Sequence, residues 1–272
     1  MKTTSKGFCV SSIIFMGLMF SVLSYSQIAL DDVVSRWDFD QGDGAQDSVG
    51  GHNGELNGDP KLVDGKFKKA MSFDGKSFMK VDPEPFKFND PQNFSVSVWV
   101  RVKVRSGWQR IYNCWRWGGY FLGELAGNGG LELRMERNVP NCDVNPAGCL
   151  LIPVDDVPLG DWIHVAFSVD WKDEVRLYAN GEEKASSKID GPFKYWSRLH
   201  NENTTVDTLG IGARIDNGPT EFFNGDIDQL VVFSVALTAD EIETIFESGL
   251  GDVLAVSPNG KLAVTWGTLK AK

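Results

Sequence analysis

Tyr195 and Trp196 stand together in a polar stretch after Pro192, and Trp108, Trp115, Trp117 and Tyr120 crowd an earlier segment. Indole and phenol rings that reach solvent can stack on the apolar faces of sugar rings. Arg110, Asn113, Arg116 and Asn201 lie close by in sequence and could bond sugar hydroxyls. Aromatic side chains also fill the cores of strand-rich folds, so each ring has two readings. Trp37, Trp99 and Trp162 sit in strand-like runs and are expected in the core. Tyr195 and Trp196, and Trp115 and Trp117 with Arg116, are the ligand-binding candidates.

A second group of residues suits a hard cation. Asp47-Ser-Val-Gly50-Gly51-His52-Asn53-Gly54 is a polar, glycine-rich turn. Such a turn can aim carboxylate, amide and carbonyl oxygens at one point, and calcium takes 6 to 8 oxygen ligands. The alternative is that Asp47 and Asn53 are turn formers bonded to their own backbone. An EF-hand is excluded, because a loop starting at Asp38 would need Glu where Val49 stands. His164, one of three histidines, lies mid-strand without a Gly-x-Ser-x-Gly elbow or a cysteine signature, and reads as a satisfied structural residue.

Four cysteines are present. Cys142 and Cys149 flank a turn-rich loop that a disulfide could close in an oxidising compartment, leaving Cys114 in an apolar strand. Cys114 bonded to either loop cysteine is the other connectivity. Zinc is not expected, since no pair of Cys or His residues has close ligand spacing.

The elements that would position these groups are nearly all strands. Phe94, Val96, Val98, Val100 and Val102 alternate with Ser95, Ser97, Trp99 and Arg101, the two-residue period of a half-buried strand. Leu131, Leu133 and Met135 alternate with Glu132, Arg134 and Glu136. Asn180-Gly181 between two strand-like runs signals a hairpin. One helix is expected: Thr238 at its N-cap and Glu241 three residues on form a capping box, followed by Ile242, Ile245 and Phe246 and ending near Gly249. The fold class is therefore all-β, a two-sheet antiparallel sandwich with one short C-terminal helix.

Lys2 and Lys6 precede an apolar run from Phe8 to Leu23, and Ser24-Tyr25-Ser26 offers small residues for cleavage before Gln27. Residues 1–26 are read as a signal peptide, with a single membrane anchor as the alternative. Residues 27–250 form one sandwich domain, and 251–272 a tail with short strands around Pro258-Asn-Gly. Beyond the leader, 25 Lys and Arg face 37 Asp and Glu. That acidity excludes nucleic acid and anionic membrane as expected partners and suits a secreted, extracellular or cell-surface protein, with the periplasm also open.

Three phrases carry a family resemblance: Trp162-x-His164-x-Ala166, Leu177-Tyr178-x-Asn180-Gly181, and Gly225-x-Ile227-Asp228 leading to Phe233. With Ala236-Leu237-Thr238 before Glu241-Ile242, the chain resembles LamG-like, concanavalin A-like jelly-roll domains over residues 33 to 250. The resemblance implies a binding module for glycans or extracellular proteins. It also implies a structural calcium ion at Asp47, Asn53 and Asp228, with Asp226 and Asp74 as further acids. Superfamily members include retaining glucanases, which need two carboxylates about 5 Å apart. The nearest match here, Glu132-Leu-Arg134-Met-Glu136, has Arg at its centre, so it reads as a solvent-facing, self-neutralising ladder rather than a catalytic one.

Overall fold

The structure, a computed structural model, describes residues 28–86, 92–114, 120–124, 130–135, 149–188, 209–216 and 218–255. In chain order its strands begin with β1 Ile28–Ala29, β2 Val33–Trp37, β3 Glu55–Asn57, β4 Lys61–Asp64, β5 Lys69–Asp74 and β6 Phe78–Val81. Then come β7 Phe94–Val102, β8 Gln109–Cys114, β9 Tyr120–Glu124, β10 Leu131–Met135, β11 Cys149–Ile152 and β12 Ile163–Val169. β13 Glu174–Ala179, β14 Glu182–Lys188, β15 Leu209–Ile211, β16 Asn224–Phe233 and β17 Leu254–Ala255 follow, with helices α1 Ala239–Ser248 and α2 Leu250–Val253 before β17.

Two antiparallel sheets form the sandwich. One has seven strands in the order β11-β10-β9-β8-β15-β6-β3. The other has eight, β14-β13-β12-β7-β16-β5-β4, with β2 also paired to β16. Alternation along each strand sends one set of side chains into a shared core: Val96, Val98 and Val100 from β7, Val165 and Phe167 from β12, Leu122 from β9, Leu131 and Leu133 from β10. Trp37 lies in that core, fully buried. The Asn180-Gly181 turn between β13 and β14 has φ of 50° and 82°, the left-handed pair a tight two-residue hairpin requires.

The outer face of the eight-stranded sheet is covered, which the alternation of β7 did not anticipate. Residues of β7 other than Arg101 are all buried. The reason is α1. Thr238 caps it through the Glu241 amide, and the Glu241 carboxylate returns a bond from the Thr238 backbone N–H. Its apolar side chains Ile242 and Ile245 join Val231, Phe233, Tyr178, Ala166 and Leu250 in a second cluster. Serines of the sheet hold the segment that leads into it: Ser95 donates to the Val235 carbonyl and Ser168 to that of Leu237, each at 2.8 Å. Trp99 is buried on this face, stacked on Phe246 at 5.6 Å. Trp162 is only half-buried, under the Arg101 guanidinium at 4.7 Å, and does not enter the core.

β1 pairs in parallel with β17, Ile28 opposite Leu254, so the first described strand meets the last. The leader and the tail beyond 255 lie outside the described residues. Among those described, no helix is long and apolar enough to cross a membrane.

Candidate ligand-binding face

Among the described residues, the outer face of the seven-stranded sheet carries polar side chains and no helix. In β8 a bulge between Arg110 and Tyr112 changes the register, so Arg110 pairs with Gly123 and Asn113 with Phe121. Across β9, Gly123 pairs with Glu132 and Phe121 with Arg134. Since Leu122, Leu131 and Leu133 point into the core, Arg110, Asn113, Glu132 and Arg134 point out of it. Gly123 lies between Arg110 and Glu132, and a Cβ there would sit 2.3 Å from the Gln109 carbonyl oxygen. Only glycine lets the strands close at that point.

These side chains are shielded despite their position. Arg110 keeps 7% of its surface, Glu132 1% and Asn113 none. Glu132 was expected to face solvent, and it does not. The Arg110 guanidinium reaches the Glu221 carboxylate at 2.5 Å. Burial pulls the Arg110 pKa below its ordinary value, while the charges of Glu221 and Glu132 work against that shift. Asn113 differs from both: among the described residues neither its amide nitrogen nor its oxygen has a hydrogen-bond partner.

One end of the face opens to solvent. Trp108 is 39% exposed, with the Arg110 guanidinium 5.4 Å from its ring centre. Beside them, Arg214 and Thr220 exchange backbone hydrogen bonds. Arg214 meets Asp216 at 2.6 Å and Glu221 at 3.4 Å. Sequence reasoning named Arg110 and Asn113 but missed Glu221, Arg214 and Asp216, which a long connection brings in.

The other expected site residues fare differently. Trp115, Arg116, Trp117, Tyr195, Trp196 and Cys142 lie outside the described residues. Cys149 starts β11, and Cys114 is a buried thiol outside any disulfide. His164 is fully buried. Its Nε2 pairs with Ser97 Oγ at 2.8 Å, but its Nδ1 has no partner among the described residues, so it is structural yet only half satisfied. Burial pushes its pKa down to about 3.

Asp47 and Asn53 do meet in one turn. Asp47 Oδ1 accepts the N–H groups of Arg36, Val49 and Gly50, and Oδ2 accepts that of His52. Asn53 Oδ1 accepts the Asp47 N–H at 2.9 Å. Burial would raise the Asp47 pKa, but the N–H groups of Arg36, Val49 and His52 outweigh it and hold the carboxyl below the usual range. Asp228 does not join this turn: its Oδ2 accepts the Phe67 N–H at 2.8 Å. Asp226 is neutralised by Arg101 and Lys103, and Asp74 bonds Ser77 and the Lys76 N–H. Among the described residues no three His, Cys, Asp or Glu side chains converge as a metal-binding group. Asp47 directs both its oxygens to backbone N–H groups, whereas Asp228 Oδ1 has no partner among the described residues, so the three expected ligands stand in different surroundings.

Comparison with known proteins agrees with this architecture. Residues 73–243 match the family model of the concanavalin A-like lectin/glucanases superfamily. No curated protein matches the chain. Among solved structures, domain 4 of AbnA, a GH43 extracellular arabinanase from Geobacillus stearothermophilus in complex with arabinotriose, is similar at 22% identity and a TM-score of 0.57. The match covers 79% of this chain and 98% of that one. The binding domain of Paraclostridial Mosquitocidal Protein 1 is similar at 18% identity and a TM-score of 0.60, over 80% of this chain. The binding domain of botulinum neurotoxin DC, solved with rat synaptotagmin II, is similar at 16% identity and a TM-score of 0.58, over 81% of this chain. The matches span 52% of each of those two toxin chains. At these identities the likeness concerns the fold alone.

Proposed function

Because the chain belongs to the concanavalin A-like lectin/glucanases superfamily, we propose that it is an exported, non-catalytic module that binds glycan on the outer face of its seven-stranded sheet. The observation that carries this reading is Asn113. A buried amide with neither atom bonded to the protein is costly to maintain without a role. It offers two donors and an acceptor, which a sugar hydroxyl pair would complement once the cover over this shielded row is displaced. Arg110 and Glu132 on the same face add charged groups held in place by burial. The arabinotriose held by the similar arabinanase domain supports glycan as the ligand class.

Binding is favoured over catalysis by the arrangement of charge. Glu132 and Glu221 both act on the Arg110 guanidinium. That is an ion-pair network, not two acids facing each other across an open cleft. Export rests on the leader-like residues 1–26, and protein recovered outside the cytoplasm should begin at Gln27.

The test is calorimetric titration of the domain with arabinotriose and a panel of other oligosaccharides, alongside Asn113→Ala. Since the amide bonds no protein group, Asn113→Ala should melt within about 2 °C of the parent and lose glycan affinity about tenfold. A parent that binds no oligosaccharide, or a variant that binds equally well, overturns the reading. An extracellular protein partner is the second reading, favoured by Val104 and Leu159, which are 42% and 49% exposed at one end of the sandwich.

A further inference from the structure

Trp108 is an exposed aromatic that neither the core nor the buried row of the seven-stranded sheet uses. It stands in the bend before β8, with the Arg110 guanidinium 5.4 Å from its ring centre. Arg110, and Asn113 beyond the bulge, continue the line toward the middle of the sheet.

We propose that Trp108 is the stacking platform of an end subsite for an uncharged sugar ring; this rests on the glycan reading of the adjoining face. Three observations point the same way. First, the ring is held in place: the Arg110 guanidinium lies 5.4 Å from its centre and is itself tied to Glu221, so little freedom is lost when a ligand lands. Second, the polar groups around it are already paired. Arg110 with Glu221, and Arg214 with Asp216 and Glu221, set two cations against two carboxylates. A balanced rim gives no attraction to a uronate or sulfate, while its oxygens and N–H groups can still bond hydroxyls. Third, the ring is anchored without being covered. Gln109 fixes the start of β8, its side chain donating to the Val104 carbonyl and accepting the Asn224 N–H. The indole itself remains 39% exposed. An aromatic face beside satisfied polar groups recognises the C–H face of a neutral pyranose or furanose.

The experiment compares Trp108→Ala and Trp108→Phe with the parent. Each is titrated with arabinotriose and laminaritriose as neutral probes and trigalacturonate as an anionic probe of equal length. Trp108→Ala should weaken neutral binding about five- to tenfold with an unchanged melting temperature, and Trp108→Phe should restore most of it. Trigalacturonate should bind at least about tenfold more weakly than the better neutral probe. If neutral binding is lost in Asn113→Ala but intact in Trp108→Ala, the end subsite is wrong while the face stands. If the anionic trisaccharide binds as tightly as either neutral one, the assignment to uncharged sugar fails. A parent that binds none of the three overturns the subsite together with the face, and leaves Trp108 with Val104 and Leu159 to a protein partner.

Discussion

Asp228 owes its environment to a change of neighbours along one strand. β16 pairs with β5 from Asn224 to Ile227 and with β2 from Leu230 onward, and a bulge separates the two registers. Gln229 absorbs that break with φ of 43°. Asp228 is left at the seam, where its carboxylate accepts the Phe67 N–H, and Gly65 must lack a side chain because a Cβ would come within 2.6 Å of Oδ2. Burial pushes the Asp228 pKa up to about 7, with help from the charge of Asp40 and against the amides of Phe67 and Gln229. An acid whose folded pKa is raised holds its proton more tightly in the folded chain than in the unfolded one. Its stabilising contribution is therefore complete below about pH 4 and is lost as pH rises through 7. In chelator, stability should fall progressively from about pH 4 to pH 7, a total loss of up to about 4 kcal/mol, and level off above pH 8. Asp228→Asn, which can still accept the Phe67 N–H, should remove that fall. Parallel curves for the two proteins would mean the carboxyl ionises in the fold without cost.

At the scale of elements, the two outer faces are finished differently. The eight-stranded sheet covers its Trp99 and serines with α1, anchored by a capping box and an apolar pair. Thr238→Ala removes the cap and should cost about 1 kcal/mol in urea unfolding. Because α1 is the lid over Phe233, Tyr178 and Trp99, amide exchange should quicken around it first, with β8 to β10 unaffected. Among the described residues the opposite sheet meets no helix, and its outward row of Arg110, Asn113 and Glu132 is polar. A single bulge in β8 sets that row, since without it Arg110 and Asn113 would project from opposite faces.

For the whole molecule, β1 against β17 brings the first described strand to the last, beside the α1 cluster that includes Ile28. The first and last described strands therefore lie on the side of the eight-stranded sheet, away from the proposed ligand face. The same scale decides the calcium question, because an ion that binds only the folded chain raises its stability by mass action. With Asp47 engaged by four N–H groups and Asp228 at a separate seam, returning millimolar calcium to chelated protein should leave the melting temperature within about 1 °C. A clear, reversible rise would place an ion on other oxygens of the chain.

Much of this protein was readable in one dimension. Alternation in β7 and β10, the Asn180-Gly181 turn and the Thr238–Glu241 cap are set by neighbours a few residues apart, so local chemistry determined them. The resemblance in Trp162 to Gly181 and Gly225 to Phe233 led to the right superfamily because those phrases mark strands and turns. What tertiary structure alone decided is which polar groups meet. Glu132 looked solvated beside Arg134, yet it is buried and its charge acts on Arg110, brought near by pairing through Gly123. Glu221 and Arg214 reach the same corner from a hundred residues away, and Asp228 sits at the seam where β16 changes partners. Burial and long-range pairing are properties of the packed sandwich, and no local spacing encodes them.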